Sequence, residues 1–305
     1  MENLASNNKR IAKNTLLLYA RMLFLMVVSL YTSRVVLNAL GVEDFGIYNV
    51  VGGMVAMFSM LSGSLSASIT RFITYELGRG DRKKLRTIFS SAVTIQLGLA
   101  AIIIILAEAL GIWFLNSKMT IPLDRLAAAN WVFQFSVLTF AINLVSVPYN
   151  ASIIAHERMS AFAYISIFEA VGKLAIAYLI TISPIDRLVF YAILMCAVAL
   201  IVRFTYGIYC KRHFEECMYH FIFDKNLLKD MFGFAGWNFI GASSSVLRDQ
   251  GGNVVINLFC GPAVNAARGI AFQVNNAVNG FVVNFMMALN PQITKQYAAG
   301  NREYM

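Results

Sequence analysis

The sequence is poor in charged residues and in cysteines. Asp, Glu, Lys and Arg together make up 13% of its 305 residues, whereas a soluble domain averages about 25%. The four cysteines form no CxxC pair and show no metal-ligand spacing, so we expect no metal site at them and interpret them as small apolar residues. The shortage of charge excludes an ordinary soluble domain.

Motifs for catalysis and cofactor binding are missing as well. The sequence has no GxxxxGK(S/T) motif for nucleotides, and its three histidines have no Cys or carboxylate neighbours at ligand spacing. The predicted outer loops are too short to hold the acceptor site that a membrane glycan polymerase or ligase would need. We therefore expect neither an enzyme nor a cofactor.

Long apolar runs are what the sequence contains instead. Hydrophobic residues make up 58% of the chain, the mean hydropathy is +0.64, and a membrane-spanning helix needs about 20 apolar residues. We predict an all-α polytopic membrane protein with about eight transmembrane helices. The runs cover approximately residues 11–40, 45–77, 86–115, 124–154, 158–182, 186–210, 230–259 and 263–297.

The basic residues fall mainly in loops on one predicted side of the membrane. The formal charge of +9 could suggest nucleic acid as a partner. However, 13 Lys and Arg residues lie in the loops on the side of the N-terminus, and 3 lie in the loops of the other side. Cytoplasmic loops carry such an excess. We expect a cytoplasmic N-terminus, a bacterial inner-membrane location and no nucleic-acid partner.

The chain nearly repeats itself at an offset of 220 residues: Gly41 recurs as Gly261 and Gly80 recurs as Gly300. Paired helical units with a substrate path between them are typical of transporters. We predict an N-lobe of six helices at residues 1–212 and the first two helices of a C-lobe at 231–305, so that the second lobe is truncated. The composition of residues 213–230 is typical of a cytoplasmic amphipathic linker, in helical form at the membrane surface.

Arg21 is the strongest candidate for substrate binding. On an α-helix it shares a face with Asn14 and Thr32, within about 20°, and such a polar stripe suits an aqueous space; the alternative is that Arg21 reaches the inner headgroups. Arg34 is rotated by about 140° from Arg21 on the same helix. Contact with headgroups or packing against the next helix is the main alternative to ligand binding at Arg34.

Arg248 is the corresponding candidate in the seventh predicted helix, and close helix packing is the alternative interpretation of its small, polar face. The neighbouring Asp249 points about 100° away, where it could pair with another helix or take a proton. Arg71 and Arg268, near helix ends, are weaker candidates. The residues that share the face of Arg248 are Gly241, Ser244, Ser245 and Gly252.

Glu169 and Lys173 are spaced as a helical ion pair, with the Glu first. A protonatable Glu169 that couples transport to an ion gradient is the alternative. Unpaired arginines favour an anionic, phosphorylated substrate, because a guanidinium forms two parallel hydrogen bonds to phosphate. An exporter of cationic drugs would need acidic side chains in the cavity instead. Pro148 interrupts the fourth run, where it predicts a static kink or a hinge.

Six strings, in four regions of the sequence, carry a family resemblance. They are SRVVLNALG at residues 33–41 with DFGIY at 44–48, RF at 71–72 running into ELGRGD at 76–81, FCGPAVNAARG at 259–269 and NPQITK at 290–295. With these strings the chain resembles the polysaccharide-exporter (Wzx-like O-antigen flippase) branch of the MATE/MOP superfamily, of the Bacteroides type. The resemblance extends over the whole chain.

The resemblance implies two lobes of six or seven helices around a central cavity that opens alternately to each side. It implies an undecaprenyl-diphosphate-linked oligosaccharide as cargo, membrane lipids and other glycan-assembly proteins as partners, and Arg21 and Arg248 as headgroup ligands. Two alternatives stay open: a drug or metabolite exporter of the same superfamily, and a non-transporting structural partner of a glycan-synthesis complex.

Overall fold

The computed structural model describes the backbone of residues 2–56, 58–119, 121–220 and 224–300. It describes the side chains of these ranges except at 2–9, 56, 59–61, 245–247, 249–270, 272–274, 276 and 277. Throughout these ranges the regular structure is helical. The α-helices are α1 (Glu2–Ala56), α2 (Ser59–Arg79), α3 (Arg82–Leu106), α4 (Ile112–Ser117), α5 (Leu126–Ala155), α6 (Met159–Leu179), α7 (Arg187–His213) and α8 (Lys225–Ala298).

The first two predicted runs meet at Gly41, inside α1. Gly41 has φ 82° and ψ 169°, a conformation that glycine adopts without steric penalty, and the helical path is broken there. A π-helical turn at Ala107–Gly111 joins α3 to α4, so the third predicted run is almost continuous. Pro148 lies inside α5, which remains helical from Leu126 to Ala155.

Five helical segments in the described part of the chain are long and apolar enough to cross a membrane: Arg10–Val55, Arg82–Ser117, Leu126–Ala155, Met159–Ile182 and Arg187–His213. The chain is therefore an all-α, multi-pass membrane protein, as predicted. The serine-rich α2 is not among the five segments, and the total of eight spans stays a prediction. The most buried of the five is α5, which contacts α1, α2, α3, α6, α7 and α8.

One end of the bundle is tied together by Arg125, which precedes α5. Its guanidinium hydrogen-bonds both carboxylate oxygens of Asp44, beside the break in α1, and lies 2.6 Å from Asp186 Oδ2 at the start of α7. Burial alone would raise the pKa of Asp186, but the Arg125 guanidinium and the N–H groups of Val189 and Leu188 hold that pKa below its ordinary value. All three residues come from loops predicted on the outer side.

Loops predicted on the cytoplasmic side meet one another in the same way. Arg82, between α2 and α3, lies 2.8 Å from Glu215, which follows α7. Arg10, near the start of the chain, lies 2.9 Å from Glu157 in the turn between α5 and α6. The helices therefore alternate in direction as the charge pattern predicts.

The expected amphipathic helix of the linker is not formed over residues 214–220. The chain instead makes one 3-10 turn, Glu215–Cys217, and α8 begins at Lys225. Phe214 stacks on the ring of His156 at 4.0 Å, and His156 Nε2 lies 2.5 Å from Glu216 Oε1. Burial alone would raise the pKa of Glu216, but the hydrogen bond from His156, a backbone N–H group and the charge of Arg82 together hold that pKa below its ordinary value. Contacts with the α5–α6 turn thus hold this segment against the bundle.

The ends of α2 and α8 cross at positions that correspond under the 220-residue offset. A Cβ placed on Gly78 would lie 2.7 Å from Ala298 Cβ and 2.5 Å from Lys295 O, and 298 minus 78 is 220. Gly80 and Gly300, which also correspond, have φ 76° and φ 79°. The close approach requires glycine at position 78, because any side chain would collide with α8.

Candidate functional site

A cavity of about 430 Å³ lies between α1, α6 and α7. The lining residues of α1 recur at intervals of three and four, which places them on one face of a helix. α6 contributes a second polar face, and α7 contributes Tyr191. The lining is Arg21, Leu25, Val28, Ser29, Thr32 and Ser33 from α1, Ser166, Glu169, Ala170 and Lys173 from α6, and Tyr191.

Arg21 and Thr32 line this cavity together, as their predicted shared face requires. The third member of the predicted stripe does not join them: Asn14 Nδ2 lies 3.5 Å from the backbone oxygen of Glu157, at the end of the bundle predicted to be cytoplasmic. The polar residues of this α1 stripe are therefore divided between two locations. Arg21 and Thr32 line the cavity within the bundle, and Asn14 contacts a loop near one end of it.

Two polar atoms beside the cavity have unmet hydrogen-bonding capacity. The Arg21 guanidinium carbon lies 4.4 Å from the centroid of the Phe162 ring, which holds the side chain by a cation–π contact. Arg21 Nε and Thr32 Oγ1 are buried, and neither has a hydrogen-bond partner within the described residues. Buried polar groups nearly always form hydrogen bonds with protein, water or ligand. Each of these two atoms can therefore form a hydrogen bond with a polar ligand.

Glu169 and Lys173 form the predicted ion pair, with Lys173 Nζ 2.6 Å from Glu169 Oε1. Both side chains line the cavity of Arg21, a proximity that the sequence did not reveal. The cavity thus holds two cationic side chains and one carboxylate. Because Glu169 balances Lys173, the charge of Arg21 is left over, and the surrounding hydroxyl groups can add hydrogen bonds to an anion.

The structure does not bring the other candidate arginines to this cavity. Arg34 is exposed on α1, and Arg71 lies over the ring of Phe234 at 4.3 Å, where it joins α2 to α8. Arg248 is exposed on α8 and is not part of the cavity lining. The joint binding of one substrate by Arg21 and Arg248 stays a prediction. Asp249 and Arg268 lie outside the residues whose side chains the structure describes.

Sequence reasoning missed Glu157, which lies between α5 and α6. Its side chain is only 4% exposed, and it accepts a hydrogen bond from Gln292 Nε2 at 2.8 Å. It also pairs with Arg10 of α1 and Lys295 of α8, each at 2.9 Å. We call these four residues the Glu157 junction. The junction connects the predicted first lobe to the predicted second lobe at the end where the basic loops meet.

The backbone at Glu157 is unusual too. Its φ of 59° is the one positive value at a non-glycine residue in the described ranges, and such values are uncommon outside glycine. The short turn His156-Glu157-Arg158 is visible in the sequence, but its partners lie more than 130 positions away along the chain. A metal site is not found at Glu157 or elsewhere in the described residues, because no three His, Cys, Asp or Glu side chains there lie close enough together to bind a metal ion.

Comparison with known proteins places this architecture in a family. A family model described as "Polysaccharide biosynthesis protein" matches residues 11–296. The chain belongs to that family. Among curated proteins, it is 23% identical over 124 residues to the uncharacterized membrane protein EpsK of Bacillus subtilis (strain 168). That match covers 41% of this chain and 24% of EpsK.

Solved transporters of the MOP superfamily share the fold. An outward-facing multidrug resistance MATE transporter aligns with a TM-score of 0.76 at 15% identity, over 98% of this chain and 66% of its own. A MOP transporter from Pyrococcus furiosus aligns with a TM-score of 0.75 at 15% identity, and the alignment covers 98% of this chain and 66% of the transporter. The Vibrio cholerae MATE transporter VcmN in its bent form aligns with a TM-score of 0.80 at 14% identity, and the alignment covers 100% of this chain and 69% of VcmN. The chain spans about two thirds of the length of these transporters and shares their fold, and its assignment to the Bacteroides-type O-antigen branch stays a prediction.

Proposed function

We propose that the protein is a flippase that moves an undecaprenyl-diphosphate-linked oligosaccharide across the bacterial inner membrane by alternating access. The product would serve O-antigen or capsular polysaccharide biosynthesis of the Bacteroides type. The family match to polysaccharide biosynthesis proteins and the fold of MOP transporters support a transport role. The charge of the loops supports a cytoplasmic N-terminus.

The observation that carries the proposal is the position of Arg21. Its guanidinium lies in a cavity within the membrane-spanning bundle, surrounded by hydroxyl groups and by a Glu169–Lys173 pair that is close to neutral. An arginine inside a membrane is costly unless it has a partner or a function. A diphosphate would satisfy Arg21 Nε, which has no partner within the described residues. Thr32 Oγ1, which also has none there, lies eleven residues further along α1, about 16 Å along the helix axis, and would contact the attached sugar instead.

Other candidate residues extend the proposal. In the complete transport path Arg248 would contact the same headgroup from the second lobe, and Arg71 and Arg268 would assist near the helix ends. Glu169 would couple transport to an ion gradient by taking up a proton, because protonation would release Lys173 and make the cavity more positive. Asp249 is the corresponding candidate in α8. Membrane lipids and other glycan-assembly proteins would be the partners.

Complementation tests the proposal directly. A strain lacking its own O-antigen flippase would express the protein, and surface glycan would be measured on extracted lipopolysaccharide. We expect Arg21→Ala to reduce surface glycan at least tenfold, since a lost charge-assisted bond of about 1.5–3 kcal/mol corresponds to that range. Arg21→Lys should restore part of it. Arg34→Ala, on another face of α1, is the matched control.

Normal surface glycan in the Arg21→Ala strain, at equal protein levels, would remove Arg21 from the mechanism. Loss of glycan in the Arg34→Ala strain to the same degree would mean that any arginine of α1 is needed for folding or insertion. Both outcomes are read together with the amount of protein in the membrane, measured by immunoblot.

Efflux of a cationic compound is the second candidate, because the carboxylate of Glu169 also lines the cavity. In that case cells expressing the protein would export a cationic dye. Glu169→Gln would abolish dye export, whereas Arg21→Ala would leave it unchanged or increase it. Dye export with this pattern, together with no effect on surface glycan, would favour the efflux function over the flippase. A protein that changes neither readout, but that glycan assembly needs, would be a structural partner.

A further inference from the structure

A second groove, of about 550 Å³, lies beside the last turns of α7. It is lined by α7 between Arg203 and Lys211, by Tyr149 of α5 and by the segment 217–219. It shares no lining residue with the cavity of Arg21. The groove lies at the end of the bundle where the predicted cytoplasmic loops meet.

Arg203 is held in a defined position in this groove. Its guanidinium carbon lies 3.8 Å from the centroid of the Tyr149 ring. A Cβ placed on Gly207 would lie 2.9 Å from Arg203 Nη1, so the guanidinium lies across this glycine, one helical turn closer to the end of α7. The long side chain therefore directs its charge toward the membrane surface, and the missing side chain at position 207 leaves room for it.

The charged side chains that line the groove are all positive. Arg203 and Lys211 are its charged lining residues, no carboxylate lines it, and neither cation forms an ion pair within the described residues. Arg203 lies ten residues before the end of α7, about 15 Å along the helix axis. A cation at that depth usually has an anionic partner, and the described protein does not provide one.

Apolar side chains lie next to these cations. Phe204 is 65% exposed and Ile208 is 54% exposed, both on the groove side of α7. A soluble anion would contact only the cations and would leave the apolar surface uncovered. A lipid covers both, because its phosphate can contact the cations while its acyl chains lie along the apolar side chains. Basic pockets between membrane helices on the cytoplasmic side bind anionic headgroups by the same combination.

We propose that this groove is a binding site for one anionic phospholipid of the leaflet that borders Lys211. Arg203 and Lys211 bind the phosphate, Tyr149 and Gly207 hold the guanidinium in place, and Phe204 and Ile208 contact the acyl chains. The site is independent of the transported substrate, because it lies outside the cavity of Arg21.

The test uses the full chain in nanodiscs of phosphatidylcholine with a minority of phosphatidylglycerol, and native mass spectrometry counts the lipids that remain bound after release. We expect preferential retention of phosphatidylglycerol. Arg203→Gln and Lys211→Gln should each lower that retention roughly fivefold, as expected for one basic residue at a membrane surface. Gly207→Ala should lower it as well, because the new methyl group displaces the guanidinium without changing the charge.

The control is the double substitution Lys225→Gln with Lys229→Gln, which removes two exposed cations near the same end but outside the groove. It should leave phosphatidylglycerol retention unchanged. Equal retention of the two lipids by the unmodified chain would overturn the proposal, as would an equal loss in the control, since that result indicates attraction by net charge alone. If Arg203→Gln lowers thermal stability, Lys211→Gln on the rim decides the outcome.

Discussion

Glu157 Oε1 lies 2.9 Å from Lys295 Nζ, and this contact joins the turn after α5 to the last turns of α8. The same carboxylate binds Arg10 and Gln292, so one buried side chain connects three segments of the chain. A positive φ at a residue other than glycine is held only by the surrounding structure. In the proposed alternating-access cycle, the Glu157 junction would have to open before the predicted lobes could separate at this end.

Replacing Glu157 with Gln should destabilise the protein by about 2 kcal/mol, because Lys295, whose side chain is 25% exposed, loses its partner. Arg10 is half exposed and contributes less. The measurement is the thermal unfolding midpoint in detergent. Glu43→Gln, at an exposed carboxylate, is the matched control and should change the midpoint little. Equal midpoints for the two variants would mean that the junction does not stabilise the fold.

Gly78→Ala should weaken the packing of α2 on α8 by about 1–3 kcal/mol, the usual cost of inserting a methyl group into a closely packed contact. The added Cβ would lie 2.5 Å from the carbonyl oxygen of Lys295, which is backbone and cannot turn away. Gly63→Ala in the same helix meets no atom within 4 Å and should stabilise α2 slightly. Unfolding midpoints of both variants check the difference, and a stabilising Gly78→Ala would contradict this contact.

Acid should remove the contribution of Asp186 to stability. The pKa of Asp186 in the folded protein is below its ordinary value of 3.8, so its contribution is complete above that value and is lost as the pH falls through the folded pKa. At neutral pH, Asp186→Asn should be less stable by about 1 kcal/mol, a small effect because Asp186 is 37% exposed.

The stability difference between the unmodified chain and Asp186→Asn should therefore shrink below pH 3.8. Asn still caps the N-terminus of α7, which isolates the ionic effect of Arg125. Unfolding midpoints over a pH series measure this effect, and the control is Asp124→Asn, at an exposed carboxylate beside Arg125 in the loop between α4 and α5. A difference that stays constant down to the lowest pH would argue against an ionised Asp186.

Thr32→Val should leave stability unchanged and lower transport. The hydroxyl group of Thr32 is buried without a partner in the described residues, and a methyl group of similar shape there loses no hydrogen bond. If the hydroxyl contacts substrate, surface glycan in the complementation strain should fall about fivefold, as expected for one neutral hydrogen bond of about 1 kcal/mol. A destabilised variant would mean that the hydroxyl has a structural partner instead.

Most of the helices, and the grouping of their loops at the two ends of the bundle, were predictable from local features of the sequence. Apolar runs define segments long enough to span a membrane, and the Lys and Arg bias assigns their loops to sides. The contact of Arg125 with Asp44 and Asp186 agrees with that assignment. Helical periodicity was also sufficient to place Arg21 and Thr32 on one face and to pair Glu169 with Lys173.

Contacts between distant segments were not predictable. Nothing in the sequence around Glu157 indicates that Gln292 and Lys295 approach it, because periodicity describes one helix at a time. The linker shows the same limit. Its aromatic and charged residues favour an interfacial helix, but stacking of Phe214 on His156 and the Glu216 contact hold the chain against the bundle. Tertiary packing overrides the local preference there.

The crossing of α2 and α8 at Gly78 and Ala298 has a consequence for the symmetry of the predicted repeat. When a residue touches its own counterpart in a repeated unit, the contact lies on the axis that relates the two copies. Two separate, identical half-size polypeptides would meet in the same way in a symmetric dimer. If the predicted 220-residue repeat relates the two lobes, a twofold axis between them therefore passes through the contact of Gly78 with Ala298.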